Sequence, residues 1–239
     1  MRRVIDYTKP REPLLERIFQ VTISVPMLNL IFMLTKSKIL PYLLTFLMFV
    51  FGIFGSFLLL NHNYIASAVA FIIFIALDKA DGTSARFIFG KDPELRGTLD
   101  FVLGHIVGVV YIISFLIILI KNGLLLETYA MLLLIGLFMV FLGLQSTKFR
   151  LFSLYNLSEE KKFDIIRLRG IYGKIWRLAT KSGIKPFPTE CDGFVLLQVF
   201  LPLVGFSYAL YFIVVAILFT LIEIFVLIFI ISKAINFYN

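Results

Sequence analysis

Long runs of hydrophobic residues, separated by short polar segments, make up most of the chain. A helix needs about 20 apolar residues to cross the hydrocarbon core of a bilayer. Runs of this kind predict six membrane-spanning helices, at about residues 40–60, 64–86, 97–120, 125–146, 193–204 and 208–232. The fifth is short unless its flanks extend it. The pattern therefore predicts an all-α integral membrane protein with six transmembrane helices.

The segment before the first predicted span has a mixed pattern. Residues 14–33 are largely apolar, with a polar side formed by Arg17, Gln20, Thr22 and Ser24. This is typical of an amphipathic helix that lies at the membrane interface. A short, tilted membrane segment is the alternative for the same residues. We interpret residues 1–36 as a cytoplasmic or interfacial N-terminal segment.

Composition supports a single membrane domain over residues 1–239. The chain is 60% hydrophobic with a mean hydropathy of +0.96, which is too apolar for an ordinary soluble domain. Its net charge is +8, and residues 147–192 form a basic segment. With six spans and both termini in the cytoplasm, only Lys121 among the 23 lysines and arginines lies outside. The positive-inside rule accounts for this distribution, so we expect no nucleic-acid partner.

Three carboxylates, Asp78, Asp81 and Asp100, lie at adjoining ends of the second and third predicted spans. A carboxylate at membrane depth is costly and usually marks a functional site. Asp78 and Asp81 are three residues apart, so they share one helical face. A short loop between antiparallel helices brings Asp100 close to them. Carboxylate oxygens suit Mg²⁺ or Mn²⁺ together with a phosphate-bearing substrate. The predicted topology places this site on the cytoplasmic side.

This region resembles the signature of the CDP-alcohol phosphotransferase family, D-x2-D-G-x2-A-R followed, after eight or nine residues, by G-x3-D-x3-D. The matching residues are Asp78, Asp81, Gly82, Ala85, Arg86 and Asp100. The resemblance extends to the six spans, the interfacial helix, and P-Y-L-L-T at residues 41–45, where members often have P-N-x-x-T.

The resemblance implies transfer of a substituted phosphoryl group from a CDP-linked alcohol, such as CDP-diacylglycerol, to an acceptor hydroxyl with release of CMP. At least one substrate would be a lipid, as in phospholipid synthesis, and the protein would be a homodimer. The implied metal ligands for Mg²⁺ or Mn²⁺ are Asp78, Asp81 and Asp100. The implied CDP site contains Asp78, Asp81, Gly82, Ala85 and Arg86.

Two positions depart from the family pattern. The motif glycine falls at Arg96, and the last aspartate, which the resemblance implies is a metal ligand and the base, falls at Gly104. His105 and Glu223 are candidate substitutes for the base, although each is also explained as a hydrogen-bonded structural residue. Glu190 and Asp192 are a third possibility, which we interpret instead as carboxylates favoured at a helix N-terminus. A phosphorylated substrate that deprotonates its own acceptor is a further alternative.

The loss of the last aspartate also favours a second class of function. A catalytically inactive relative would bind CDP or a lipid without turnover. A cation transporter that uses the same carboxylates is a third class, but no internal repeat supports it. Turnover separates the enzyme from the binding protein, and binding of a CDP ligand separates both from the transporter.

Overall fold

The computed structural model describes residues 4–8, 12–35, 37–154, 185 and 187–238, apart from the side chains of residues 6, 149, 151–154 and 233–238. The described part contains helices and no strand. The α-helices are α1 (Leu14–Phe19), α2 (Val25–Leu34), α3 (Leu40–Leu60), α4 (Tyr64–Phe89), α5 (Glu94–Lys121), α6 (Leu125–Leu154), α7 (Glu190–Val195), α8 (Leu201–Val204) and α9 (Ala209–Tyr238). π-Helical turns at Gln20–Ser24 and Leu196–Phe200 join α1 to α2 and α7 to α8.

Five helical segments of the described chain are long and apolar enough to cross a membrane: Leu14–Leu34, Leu40–Leu60, Glu94–Lys121, Leu125–Lys148 and Phe206–Ser232. The prediction of an all-α integral membrane protein is therefore confirmed. α4 is 26 residues long but carries four charged residues, and it is not among the five. The number of spans and the cytoplasmic orientation stay predictions.

The predicted spans 64–86 and 193–204 are not among the segments just named. Residues 190–204 are continuously helical for only about 22 Å, less than the hydrocarbon thickness of about 30 Å, and Gly205 with φ 98° ends this stretch. Conversely, Leu14–Leu34, which we interpreted as interfacial, has the length and composition of a span. The alternative of a membrane segment for these residues thus stays open. Most of the basic segment 147–192 lies outside the described residues.

Small residues allow α3 to pack closely against its neighbours. A Cβ atom on Gly52 would clash with Val107 of α5, and one on Gly55 would lie 3.1 Å from the Phe71 ring of α4. Phe71 in turn meets the ring of the fully buried Tyr111 edge-on at 5.2 Å. These contacts hold α4 and α5 against the same helix, α3, and the Phe71–Tyr111 ring contact links the two.

The N-terminal segment packs against the end of α4 that carries the acidic motif. Ser24 Oγ donates a hydrogen bond to the Ala76 carbonyl oxygen at 2.8 Å. The Leu15 amide donates to Asp192 Oδ1 at 2.8 Å, at the start of α7. The N-terminal segment therefore contacts both α4 and the start of α7.

Candidate functional site

The buried centre of the acidic motif is Asp81, near the C-terminal end of α4. Its side chain is 1% exposed. Asp81 Oδ2 accepts a hydrogen bond from Thr45 Oγ1 at 2.6 Å and lies 2.8 Å from Arg96 Nη1. Asp81 Oδ1 accepts from the Gly82 amide. Both carboxylate oxygens of Asp81 are therefore engaged by groups of the chain itself.

Arg96 connects Asp81 to the carboxylates of the α4–α5 junction. Its Nε and Nη2 atoms donate to the two Asp92 oxygens, each at 2.6 Å, and Nη2 lies 3.5 Å from Asp100 Oδ2. The side chain of Arg96 is 3% exposed. Its Nη1 atom forms the ion pair with Asp81 but no hydrogen bond within the described part of the chain. Arg96 and Asp100 are four residues apart on one face of α5, and Asp92 lies in the loop just before that helix.

Asp78 belongs to a second cluster of charges. Its Oδ2 atom lies 2.9 Å from Lys79 Nζ. The same ammonium lies 2.6 Å from Glu16 and 3.6 Å from Glu12, both in the N-terminal segment. Although Asp78 and Asp81 share the end of α4, they therefore pair with different cations.

Gly82 separates two guanidinium groups. A Cβ atom at this position would lie 3.3 Å from Arg86 Nη1 and 3.6 Å from Arg96 Nη2. Arg86 is held by a hydrogen bond from its Nε atom to the Tyr7 carbonyl oxygen at 2.7 Å. Ala85, one turn further along α4, is fully buried. Two guanidinium groups therefore occupy the space beside the Gly82 backbone.

The three aspartates supply the hard oxygen atoms that Mg²⁺ or Mn²⁺ prefers, but their arrangement does not fit a metal ion. Asp81 already contacts Arg96 and Asp78 contacts Lys79 at less than 3 Å. Among the described residues, no group of three histidine, cysteine, aspartate or glutamate side chains is arranged to hold a metal.

The candidate bases lie in different surroundings. A Cβ atom on Gly104 would meet nothing within 4 Å, so this position is open. His105 is exposed; its Nδ1 atom hydrogen bonds with the Phe101 carbonyl oxygen of the same helix at 2.7 Å. It contacts neither Asp81 nor Asp100 among the described hydrogen bonds.

Glu223 is buried on α9 and ties the start of α7 to that helix. Its two oxygens accept from Lys185 Nζ and from the Glu190 amide, both at 3.1 Å. Burial acts to lower the pKa of Lys185, but the Glu223 charge and this hydrogen bond outweigh it, so the pKa of Lys185 is raised. The Thr220 hydroxyl on the same helix donates to the Ala216 carbonyl oxygen.

The start of α7 agrees with our interpretation of its carboxylates. Thr189 is the N-cap and forms a capping box with Asp192, in which each side chain bonds the backbone of the other residue. Asp192 also accepts the hydrogen bond from Leu15. It is therefore engaged as a structural residue.

Comparison of the chain with protein-family models, with curated proteins and with solved structures finds no match. Sequence reasoning assigned no role to Thr45, Asp92 or the Arg96 side chain. Thr45 and Arg96 hold Asp81, and Asp92 holds Arg96. The spacing of four residues between Asp92, Arg96 and Asp100 was a signal for part of this cluster.

Proposed function

We propose that this protein transfers a substituted phosphoryl group from a CDP-linked alcohol to an acceptor hydroxyl, with release of CMP. The observation that carries the proposal is the convergence of Arg86 and Arg96 on Gly82, beside the buried carboxylate of Asp81. The diphosphate of a CDP-linked alcohol carries one negative charge on each phosphate. Guanidinium groups donate hydrogen bonds to phosphate oxygens in a planar geometry.

The chain's own residues have distinct roles in this proposal. Arg86 and Arg96 bind the diphosphate, and Gly82 lets both guanidinium groups lie close to the α4 backbone. Asp81 and Asp92 orient the Arg96 guanidinium through contacts of 2.8 and 2.6 Å. The apolar helices exclude water, which strengthens these interactions. Because the membrane surrounds the site, a lipid donor or acceptor such as CDP-diacylglycerol is the proposed substrate class, in a homodimer and on the cytoplasmic side.

The acceptor hydroxyl needs a base, and Gly104 has no side chain to act as one. This favours a second candidate function, in which the chain binds CDP or a lipid without catalysis. A positioned base typically accelerates a reaction by about 10²–10⁴-fold, so a transferase without one would be slow rather than inactive. Turnover measured over long times therefore distinguishes the two functions.

Release of CMP by the purified protein in detergent tests the proposal. CDP-diacylglycerol would be supplied with a panel of alcohol acceptors, and CDP-choline-type donors with lipid acceptors, each with EDTA, Mg²⁺ or Mn²⁺. Asp81→Asn removes the charge that orients Arg96, whereas Glu94→Gln makes the same chemical change at an exposed residue of α5. We expect CMP release that Asp81→Asn reduces at least 10-fold and Glu94→Gln leaves intact. Binding of CDP ligands without release from any pair would favour the non-catalytic function, and absence of both would refute the proposal.

A further inference from the structure

We propose that the Arg96 guanidinium takes the place of a divalent metal ion in this carboxylate cluster, so that the protein binds a diphosphate ligand without a metal. The inference about the cation depends on this structure alone. Only the choice of a CDP-linked ligand rests on the proposed function.

Arg96 occupies the position that a bridging cation needs. Its three nitrogens contact carboxylates of three segments: Asp81 on α4, Asp92 in the loop before α5, and Asp100 on α5, at 2.8, 2.6 and 3.5 Å. The side chains of Asp81 and Arg96 are 1% and 3% exposed. Removal of one member of such a buried ion pair leaves the charge of the other buried without a partner, which destabilises the fold. The guanidinium is therefore an integral part of the junction between α4 and α5.

A metal ion at the same carboxylates would compete with Arg96. Asp81 Oδ2 is shared between Thr45 and Arg96, and Oδ1 accepts from the Gly82 amide. A divalent ion bound there would also lie against a guanidinium of like charge, at a depth where charges are weakly screened. Arg96 and a metal ion thus exclude one another at Asp81.

The two guanidinium groups beside Gly82 are the donors that a phosphate group would meet. Arg86 Nη1 and Arg96 Nη2 lie 3.3 and 3.6 Å from the position of a Cβ atom on this glycine. Arg96 Nη1 lies 2.8 Å from Asp81, and Nη2 lies 2.6 Å from Asp92. A phosphate oxygen that accepts from both arginines would therefore compete with these carboxylates for Arg96, whereas Arg86 Nη1 lies 4.0 Å from Asp92.

Binding of Mn²⁺, followed by electron paramagnetic resonance of the free ion, tests the cation inference without any nucleotide. We expect the wild-type protein to bind Mn²⁺ weakly and Arg96→Gln to bind it at least 10-fold more tightly, because Asp81 and Asp100 are released. Adding Asp81→Asn to Arg96→Gln should abolish that gain. Arg86→Gln removes the same charge nearby without an Asp81 or Asp100 ion pair, and its Mn²⁺ affinity should change far less. Equal Mn²⁺ affinity of the wild type and Arg96→Gln would overturn the inference.

Binding of CDP to the wild-type protein supplies a second test that needs no variant. We expect equal CDP affinity in EDTA and in Mn²⁺, whereas an increase of about 10-fold or more with Mn²⁺ would show a metal-dependent site and overturn the inference. If Arg96→Gln gains Mn²⁺ but the wild type binds no CDP, the cation inference holds and the proposed function fails. Gel filtration and circular dichroism verify that each variant is folded.

Discussion

Glu223→Gln should loosen the junction between α7 and α9. The Glu223 carboxylate accepts from Lys185 Nζ and from the Glu190 amide, both at 3.1 Å, and its side chain is 5% exposed. Glutamine keeps the size of the side chain and one acceptor oxygen, but it loses the charge that pairs with Lys185. The junction then loses an ion pair and one acceptor without creating a cavity.

The size of the effect follows from the two contacts. A hydrogen bond to a charged group contributes about 1.5–3 kcal/mol. Glutamine can still accept a hydrogen bond from the Glu190 amide. The Lys185 side chain is 29% exposed, so water replaces part of its lost bond to Glu223. We therefore expect the free energy of local opening to fall by about 1.5–2 kcal/mol, near the lower end of that range. At about 1.4 kcal/mol per tenfold change, the open population rises about 10- to 30-fold.

The single cysteine of the chain reports this opening. Cys191 lies in the first turn of α7, and its Sγ contacts Glu190 Oε1 at 3.3 Å. Its rate of alkylation by a maleimide in detergent, at fixed pH, follows the population of the opened junction. We expect Glu223→Gln to be labelled about 10- to 30-fold faster than the wild type.

A double-mutant cycle separates the structural role of Glu223 from a catalytic one. Lys185→Met removes the ammonium, so Glu223→Gln in that background should increase labelling much less than it does alone. Labelling at the wild-type rate in Glu223→Gln would refute the structural assignment. If CMP release were lost at the same time, Glu223 would be restored as a base candidate.

Two further predictions follow from the same structure. Pairing with Glu223 raises the pKa of Lys185 in the folded protein. The stabilisation that its charge provides is therefore complete below the ordinary lysine pKa, and it is lost only as the pH rises through the raised pKa. The melting difference between the wild type and Lys185→Met should therefore stay constant from about pH 6 to about pH 9. Gly52→Leu would clash with Val107 and should destabilise the bundle by about 1–3 kcal/mol, seen as a lower melting temperature. In Gly104→Ala the added methyl group meets nothing within 4 Å, so this variant should melt no lower than the wild type. Equal melting temperatures of the Gly52 and Gly104 variants would contradict the packing of α3 against α5.

The hydrophobic pattern predicted the helices well because their bounds depend on local properties. The predicted bounds 40–60 agree with α3, and 64–86 and 97–120 lie within α4 and α5. The spacing of Asp81 and Asp100 also predicted their approach, since a short loop between antiparallel helices leaves little freedom. By contrast, whether Leu14–Leu34 crosses the bilayer depends on what covers its faces, which periodicity alone does not specify.

The partners of the charged residues were decided only by the tertiary structure. The sequence determined an all-α membrane protein with a carboxylate cluster at the ends of two neighbouring helices. It did not determine that Asp81 pairs with Arg96 while Asp78 pairs with Lys79, or that Glu223 binds Lys185 rather than facing the motif. These pairings join residues from different helices and loops. Burial makes an unpaired charge costly, so each charge takes the opposite charge that packing brings within reach.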